Sequence, residues 1–203
     1  MTNYEEYADR VAPGHFNRVM RFRKELTKET DRGCALMTAA FLDESLKRLL
    51  EANTVDDKKT FENLCIGTGG MATFSAKIEF CYLLGLISAE TRRLLNIIRK
   101  IRNEFAHSME ILSFDTEDIS NRCRSLHSKV ISDTPFSPRV VFVSISYRIA
   151  GLIDGQTIIS RRPTNSDDEF GADAFAKHQK YMEHEGKQVL ELLIEKYYKK
   201  DPE

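Results

Sequence analysis

Ser88-Ala89-Glu90-Thr91-Arg92-Arg93-Leu94-Leu95-Asn96-Ile97-Ile98-Arg99-Lys100-Ile101-Arg102-Asn103-Glu104-Phe105-Ala106-His107 is the stretch on which the fold turns. Its apolar residues, Leu94, Leu95, Ile97, Ile98, Ile101 and Phe105, recur at helical rather than strand spacing. Ser88 is placed to cap the first turn, with Thr91 three residues on and the acid Glu90 near the positive end of the helix dipole. With Leu94 as reference and about 100° per residue, Ile101 and Phe105 fall within roughly 20° of it. Arg102 then lies near ~80°, Ala106 near ~120°, Arg99 near ~140°, Asn103 near ~180° and His107 near ~220°. One side is built for a core. The other carries two arginines, an amide and a histidine around a small alanine.

The same period recurs on both sides of this helix. Asp31 to Glu51 places Ala35, Leu36, Ala39, Ala40, Leu42, Leu46, Leu49 and Leu50 mostly at i, i+3, i+4 spacing. Met71 to Leu86 repeats it with Phe74, Ile78, Cys81, Tyr82 and Leu84. Asp115 is expected to cap a short helix with Glu117 and Asp118 in its first turn. Pro13 to Thr30 and Gly171 to Lys200 also read as helices. The fold class expected is therefore all-α, a compact bundle of about six to eight helices. The segment 139–159, RVVFVSISYRIAGLIDGQTII, reads two ways. Val141, Val143, Ile145 and Tyr147 alternate as in a strand, and Asp154-Gly155 suits a hairpin turn. Val140, Val141, Phe142, Ile145, Ile149, Leu152 and Ile153 also fit one helical face, with Pro138 tolerated at its start. The helical company it keeps favours helix, with a β-hairpin as the alternative.

Composition bounds the function. The chain has 203 residues, 30 Lys and Arg, 31 Asp and Glu, and a formal net charge of −1. That balance excludes broad electrostatic coating of nucleic acid but leaves room for one basic face. Apolar residues make up 41%, enough at this length for a core without disulfide staples. No run of 18 apolar residues exists, and the start, MTNYEEYADR, lacks the apolar core of a signal peptide. A cytoplasmic protein is expected. Cys34, Cys65, Cys81 and Cys123 form no CxxC pair, so buried or idle thiols are expected rather than zinc or disulfides. Ser160 to Glu169 is polar and divides the helical body from the terminal helix, within one domain spanning 1–203.

Few residues offer chemistry. Gly67-Thr68-Gly69-Gly70 precedes a helix, but it lacks a preceding strand and the GxxxxGK[ST] pattern, so an inter-helix turn is expected. His178 and His184 are six apart and share no face, and His15 and His127 have no evident partner, so no metal is expected. Asp167-Asp168-Glu169 reads as a solvated acidic loop. No cofactor is expected. Between Thr91 and His107, five bases (Arg92, Arg93, Arg99, Lys100 and Arg102) face one acid, Glu104. Arg99, Arg102, Asn103 and His107 share an arc that could serve phosphoryl chemistry: histidine moves protons near neutral pH, and arginine stabilises phosphate charge. Any surface helix also shows a polar arc opposite its apolar stripe, and bases gather at helix C-termini through the dipole alone.

The order ALMTAAFLDESLKRLL, GTGG, FSAKIEFCYLLGLIS, RNEFAH and FDTEDI, between about Ala35 and Ser125, resembles the mannitol operon repressor family of bacterial regulators. The resemblance implies a bundle core over 31–130, with 131–203 as a C-terminal extension ending in a long helix. RNEFAH also resembles the Arg-x4-His signature of the HEPN superfamily, whose members are helical, commonly dimeric, and often metal-independent ribonucleases. That second resemblance implicates Arg102, Asn103 and His107 as catalytic, and nothing else. The preferred expectation is a non-catalytic regulator that binds a protein or nucleic acid through Arg92, Arg99, Arg102 and His107. It is expected to be a homodimer with the Arg99/Arg102/His107 arc at or beside the interface. The alternative is a HEPN-type endoribonuclease.

Overall fold

The computed structural model describes residues 14–126, 136–166 and 171–197, and every regular element among them is helical. Eight helices follow in order: α1 His15–Leu26, α2 Asp31–Ala52, α3 Lys58–Cys65, α4 Phe74–Leu83, α5 Ala89–His107, α6 Glu117–Leu126, α7 Pro138–Ile159 and α8 Ala172–Tyr197. The expected all-α bundle is the fold observed. The chain divides into two compact units at Pro163/Thr164, so that α1 to α7 form the bundle and α8 stands in the second unit.

α2 is the hub of the bundle, packing against α1, α4, α5 and α7. Thr30 opens it by accepting a hydrogen bond from the Gly33 N–H at 3.1 Å, and Leu42, Leu46, Leu49 and Leu50 are fully buried along it. α5 answers with Leu95, Ile98, Ile101 and Phe105. Each such side chain contributes roughly 2 kcal/mol by leaving water. The buried stripe on α5 is centred on Ile98 and Ile101, with Leu94 at its edge, half-buried. Phe105, Phe114 and Phe142 join α5, the loop before α6, and α7 through ring centroids 5.2 and 4.9 Å apart.

The segment 139–159 forms α7, not a hairpin. Ser137 caps it through the Val140 N–H, and Pro138 occupies its first turn. Its buried apolar residues Phe142, Ile145, Ile149 and Ile153 follow the helical period and meet α2. A wall of helices rewards a 3.6-residue repeat, which outweighs the preference of valine and isoleucine for strands. Asp154, read as a turn residue in the hairpin alternative, is instead buried and holds Arg18 of α1. Arg18 also donates to Ser45 of α2 at 2.9 Å, so one guanidinium ties three helices.

Other elements also depart from expectation, and α4, read from Met71, opens at Phe74 behind Thr73. α6 begins at Glu117, with the Ser120 N–H on the Thr116 carbonyl at 2.8 Å; Asp115 lies in the preceding turn. α3 carries too few apolar residues to signal itself, and only Phe61 on it is buried. Asp57 starts it by accepting from the Thr60 N–H at 3.0 Å and from its hydroxyl at 2.7 Å, and these bonds hold the Asp57 carboxyl below the usual range.

The glycine run is the turn joining α3 to α4. Gly67 has φ +59°, a conformation that side chains resist. At Gly69 a Cβ would stand 2.3 Å from the Leu64 carbonyl oxygen and 2.5 Å from that of Asn63. This glycine is required for close backbone approach rather than for a phosphate. The turn closes through Gly69 N–H to Ile66 O at 3.0 Å and Met71 N–H to Leu64 O at 2.9 Å. No helix among the described residues is long and apolar enough to cross a membrane.

Candidate functional site

Ser88 caps α5 as its sequence indicates, accepting from the Thr91 N–H at 3.1 Å. The helix then carries Arg99, Arg102 and Asn103, which are i, i+3 and i+4 neighbours, along one half-buried line. This line forms one wall of a cleft of about 500 Å³. Leu36, Ala39, Ala40 and Asp43 of α2 form the facing wall. Thr73, Phe74 and Ser75 at the start of α4 close one end.

The local excess of base resolves unevenly. Arg92 pairs with Glu79 of α4 and lies over the Tyr82 ring, 4.6 Å from its centroid. Hydrogen bonding from Arg92 is the main reason the Glu79 carboxyl sits below the usual range. Arg93 pairs with Glu90 at 2.7 Å and donates to the Ser125 carbonyl at 3.0 Å. Glu90 lies one residue before the window in which the bases were counted, so part of that +4 is cancelled locally. Glu104 is taken by Arg122 at 3.1 Å. Arg99 and Arg102, by contrast, make no carboxylate ion pair among the described residues. Arg99 donates to Asn96 Oδ1 at 3.3 Å, and Arg102 to Asn103 Oδ1 at 3.1 Å. Arg99 still acts on Glu79 at longer range, as the weakest of the influences lowering its pKa.

Asp43 brings a negative group to the cleft, but Lys77 of α4 holds both its oxygens, at 2.8 and 3.0 Å. Lys77 is almost wholly buried, so this pair is a fixed, internally neutral part of the wall. Thr73 caps α4 by accepting from the Ala76 N–H at 3.1 Å. The N–H groups of Phe74 and Ser75, in the first turn, have no helical acceptor. The cleft is thus cationic on the α5 side and apolar on the α2 side, with backbone donors at one end.

The residues expected at the site separate. Arg99, Arg102 and Asn103 line the cleft together. Arg92 is committed to Glu79. His107, the last residue of α5, is exposed and lies outside the cleft lining, beside the loop that Arg32 of α2 pins through the Ser108 and Glu110 carbonyls at 2.9 and 3.0 Å. Sequence reasoning missed Thr73, Asp43 and Lys77. The signal for Thr73 was present, a capping residue before an apolar periodic run; that for Asp43 with Lys77 was not, since 34 residues separate them. Among the other histidines, His184 faces Gln188 across 3.0 Å on α8, while His127 and the Asp167-Asp168-Glu169 loop lie outside the described residues. No group of three His, Cys, Asp or Glu side chains suited to a metal occurs among the described residues.

No protein-family model matches the chain, and no curated protein matches it. A solved structure does. The X-ray structure of the MtlR–HPr complex from Escherichia coli contains a chain similar to 67% of this one, with 98% of that chain covered, a TM-score of 0.58 and 18% sequence identity. At that identity the likeness is one of helical fold.

Proposed function

We propose that this protein is a regulator of the mannitol-repressor type, cytoplasmic, and acting by association rather than by turnover. The observation that carries the reading is the cleft wall on α5. Among the described residues Arg99 and Arg102 have no carboxylate partner, on a helix whose other arginines are paired, so their charge is available to something outside the bundle. The fold likeness to a chain from a complex with HPr supports a protein partner of that kind, and nucleic acid is the other candidate. Titration of the purified chain with HPr is expected to show saturable binding that Arg99→Glu with Arg102→Glu weakens by at least about tenfold, the scale of one lost charge-assisted contact. Salt-dependent retention of DNA would assign the surface to nucleic acid instead. Failure of both HPr and DNA to bind would end the association reading.

A second reading is a HEPN-type endoribonuclease, with Arg102, Asn103 and His107 as its catalytic groups. The unpaired Arg102 and the solvent-exposed His107, both on α5, favour it. Its check is cleavage of labelled RNA in EDTA, lost in His107→Ala. Cleavage of that kind would displace the association-only function.

A further inference from the structure

We infer that the cleft between α2, the start of α4 and α5 is a binding site for a small phosphomonoester, its dianionic phosphoryl group held by Arg99 and Arg102. The inference rests on the reading of the α5 wall as a functional surface and adds the ligand class.

Charge is the first argument. Every acid on α4 and α5 has a closer partner than these two arginines: Glu79 has Arg92, Glu90 has Arg93 and Glu104 has Arg122. Asp43, the acid in the cleft wall, is bound by both oxygens to Lys77. Among the described residues the cleft therefore carries two positive charges that no ion pair compensates. Two guanidinium groups match a phosphomonoester dianion better than a singly charged carboxylate or phosphodiester, because each can give a charge-assisted, forked contact.

Hydrogen-bond direction is the second. Asn103 uses Oδ1 to accept from Arg102, which leaves its amide N–H groups as donors. The first-turn N–H groups of Phe74 and Ser75 also point outward along the α4 axis, where the helix dipole favours an anion. The free polar groups here are thus mostly donors. The facing carboxylate of Asp43 places the phosphoryl group on the α5 side.

Shape is the third. The α2 wall of Leu36, Ala39 and Ala40 is apolar, and the cleft offers a half-open space of about 500 Å³. An extended polyanion needs a long basic track, whereas the lining here carries two arginines facing an apolar wall, which suits one phosphoryl group carried on a compact, partly apolar body.

The test uses the full chain in phosphate-free buffer, titrated with phenyl phosphate, inorganic phosphate and a dinucleotide diester, while the arginine Nε–H signals are followed by NMR. Phenyl phosphate is expected to shift the Arg99 and Arg102 signals saturably and to bind more tightly than inorganic phosphate, which lacks the apolar body. Arg99→Met with Arg102→Met should weaken it by about a hundredfold, roughly tenfold per lost charge-assisted contact. Arg124→Met, at an exposed residue of α6 outside the cleft lining, should leave it unchanged. Circular dichroism on each variant separates loss of binding from loss of fold. Unmoved arginine signals at tens of millimolar ligand, or equal affinity in the double variant, overturns the inference. So does binding of the diester in preference to the monoester, which would return the cleft to nucleic acid. Loss of HPr binding in the double variant with no phosphate binding removes this inference and leaves the association function standing. The converse result keeps the ligand site and removes HPr as the partner.

Discussion

Arg99 and Arg102 show how little a residue's type says about its task. Arg92, Arg93, Arg99 and Arg102 stand on one helix, and the first two are consumed by Glu79 and Glu90. What distinguishes the second two is that, among the described residues, neither makes a carboxylate ion pair; Arg93 finds its acid on its own helix, whereas the pairing of Arg92 depends on α4. The cysteines make the same point. Burial pushes the Cys34 thiol up to about 11, and those of Cys81 and Cys123 to about 12. Thiolate is the reactive form, so these three are inert in the folded protein. Cys65 is half-buried and its thiol is raised less, again by desolvation first. Titration with a thiol reagent at pH 8 should therefore label Cys65 alone, and slowly, with all four reacting after denaturation. Rapid labelling of a second thiol in the native protein would contradict the packing around it.

Among the elements, the α3–α4 turn is set by sterics, in keeping with the inter-helix turn that GTGG predicts. Gly69 is pressed against the Leu64 and Asn63 carbonyls, and Gly67 takes a left-handed conformation. A methyl group at Gly69 must push the end of α3 away from the turn. Gly69→Ala should destabilise the fold by about 2–3 kcal/mol, in the range of a strained backbone position. Gly70→Ala, where a Cβ meets nothing within 4 Å, should be close to neutral. Urea midpoints of the two variants give the comparison. Equal effects would mean that the turn is looser than its geometry. α7 carries the complementary lesson. Its β-branched residues supplied two consistent local readings, and the decision came from the wall of helices it had to fill. α3 was invisible because an eight-residue helix with one buried side chain has no period to detect.

For the whole molecule, the bundle of α1 to α7 is tied at points far apart in sequence: Arg18 with Asp154, Lys77 with Asp43, and Arg139 of α7 with Asp31 of α2. Such links close a tertiary arrangement that helix periods alone leave open. The expected homodimer belongs to this scale. Light scattering at tens of micromolar should give about twice the 23.3 kDa chain mass. His107→Glu with Arg99→Glu should shift it towards monomer, because the arc is proposed to lie at or beside the subunit interface and like charges facing across a two-fold axis repel. A 23.3 kDa species in the unmodified chain removes the dimer, and with it any site completed by a second copy.

The sequence by itself determined the helical class, the extents of α2 and α5 to within a residue or so, the cap at Ser88 and the inward stripe of α5. These follow from local periodicity and capping, which act over a few residues. It also brought Arg99, Arg102 and Asn103 onto one face, since they lie within one turn. Only the tertiary structure decided that 139–159 is a helix and that Arg92 is spent. The placing of His107 outside the cleft, and of Thr73 and the Asp43–Lys77 pair within it, was decided there too. Those outcomes depend on which charges and surfaces meet across tens of residues, and pairing at that distance leaves no mark on a local pattern.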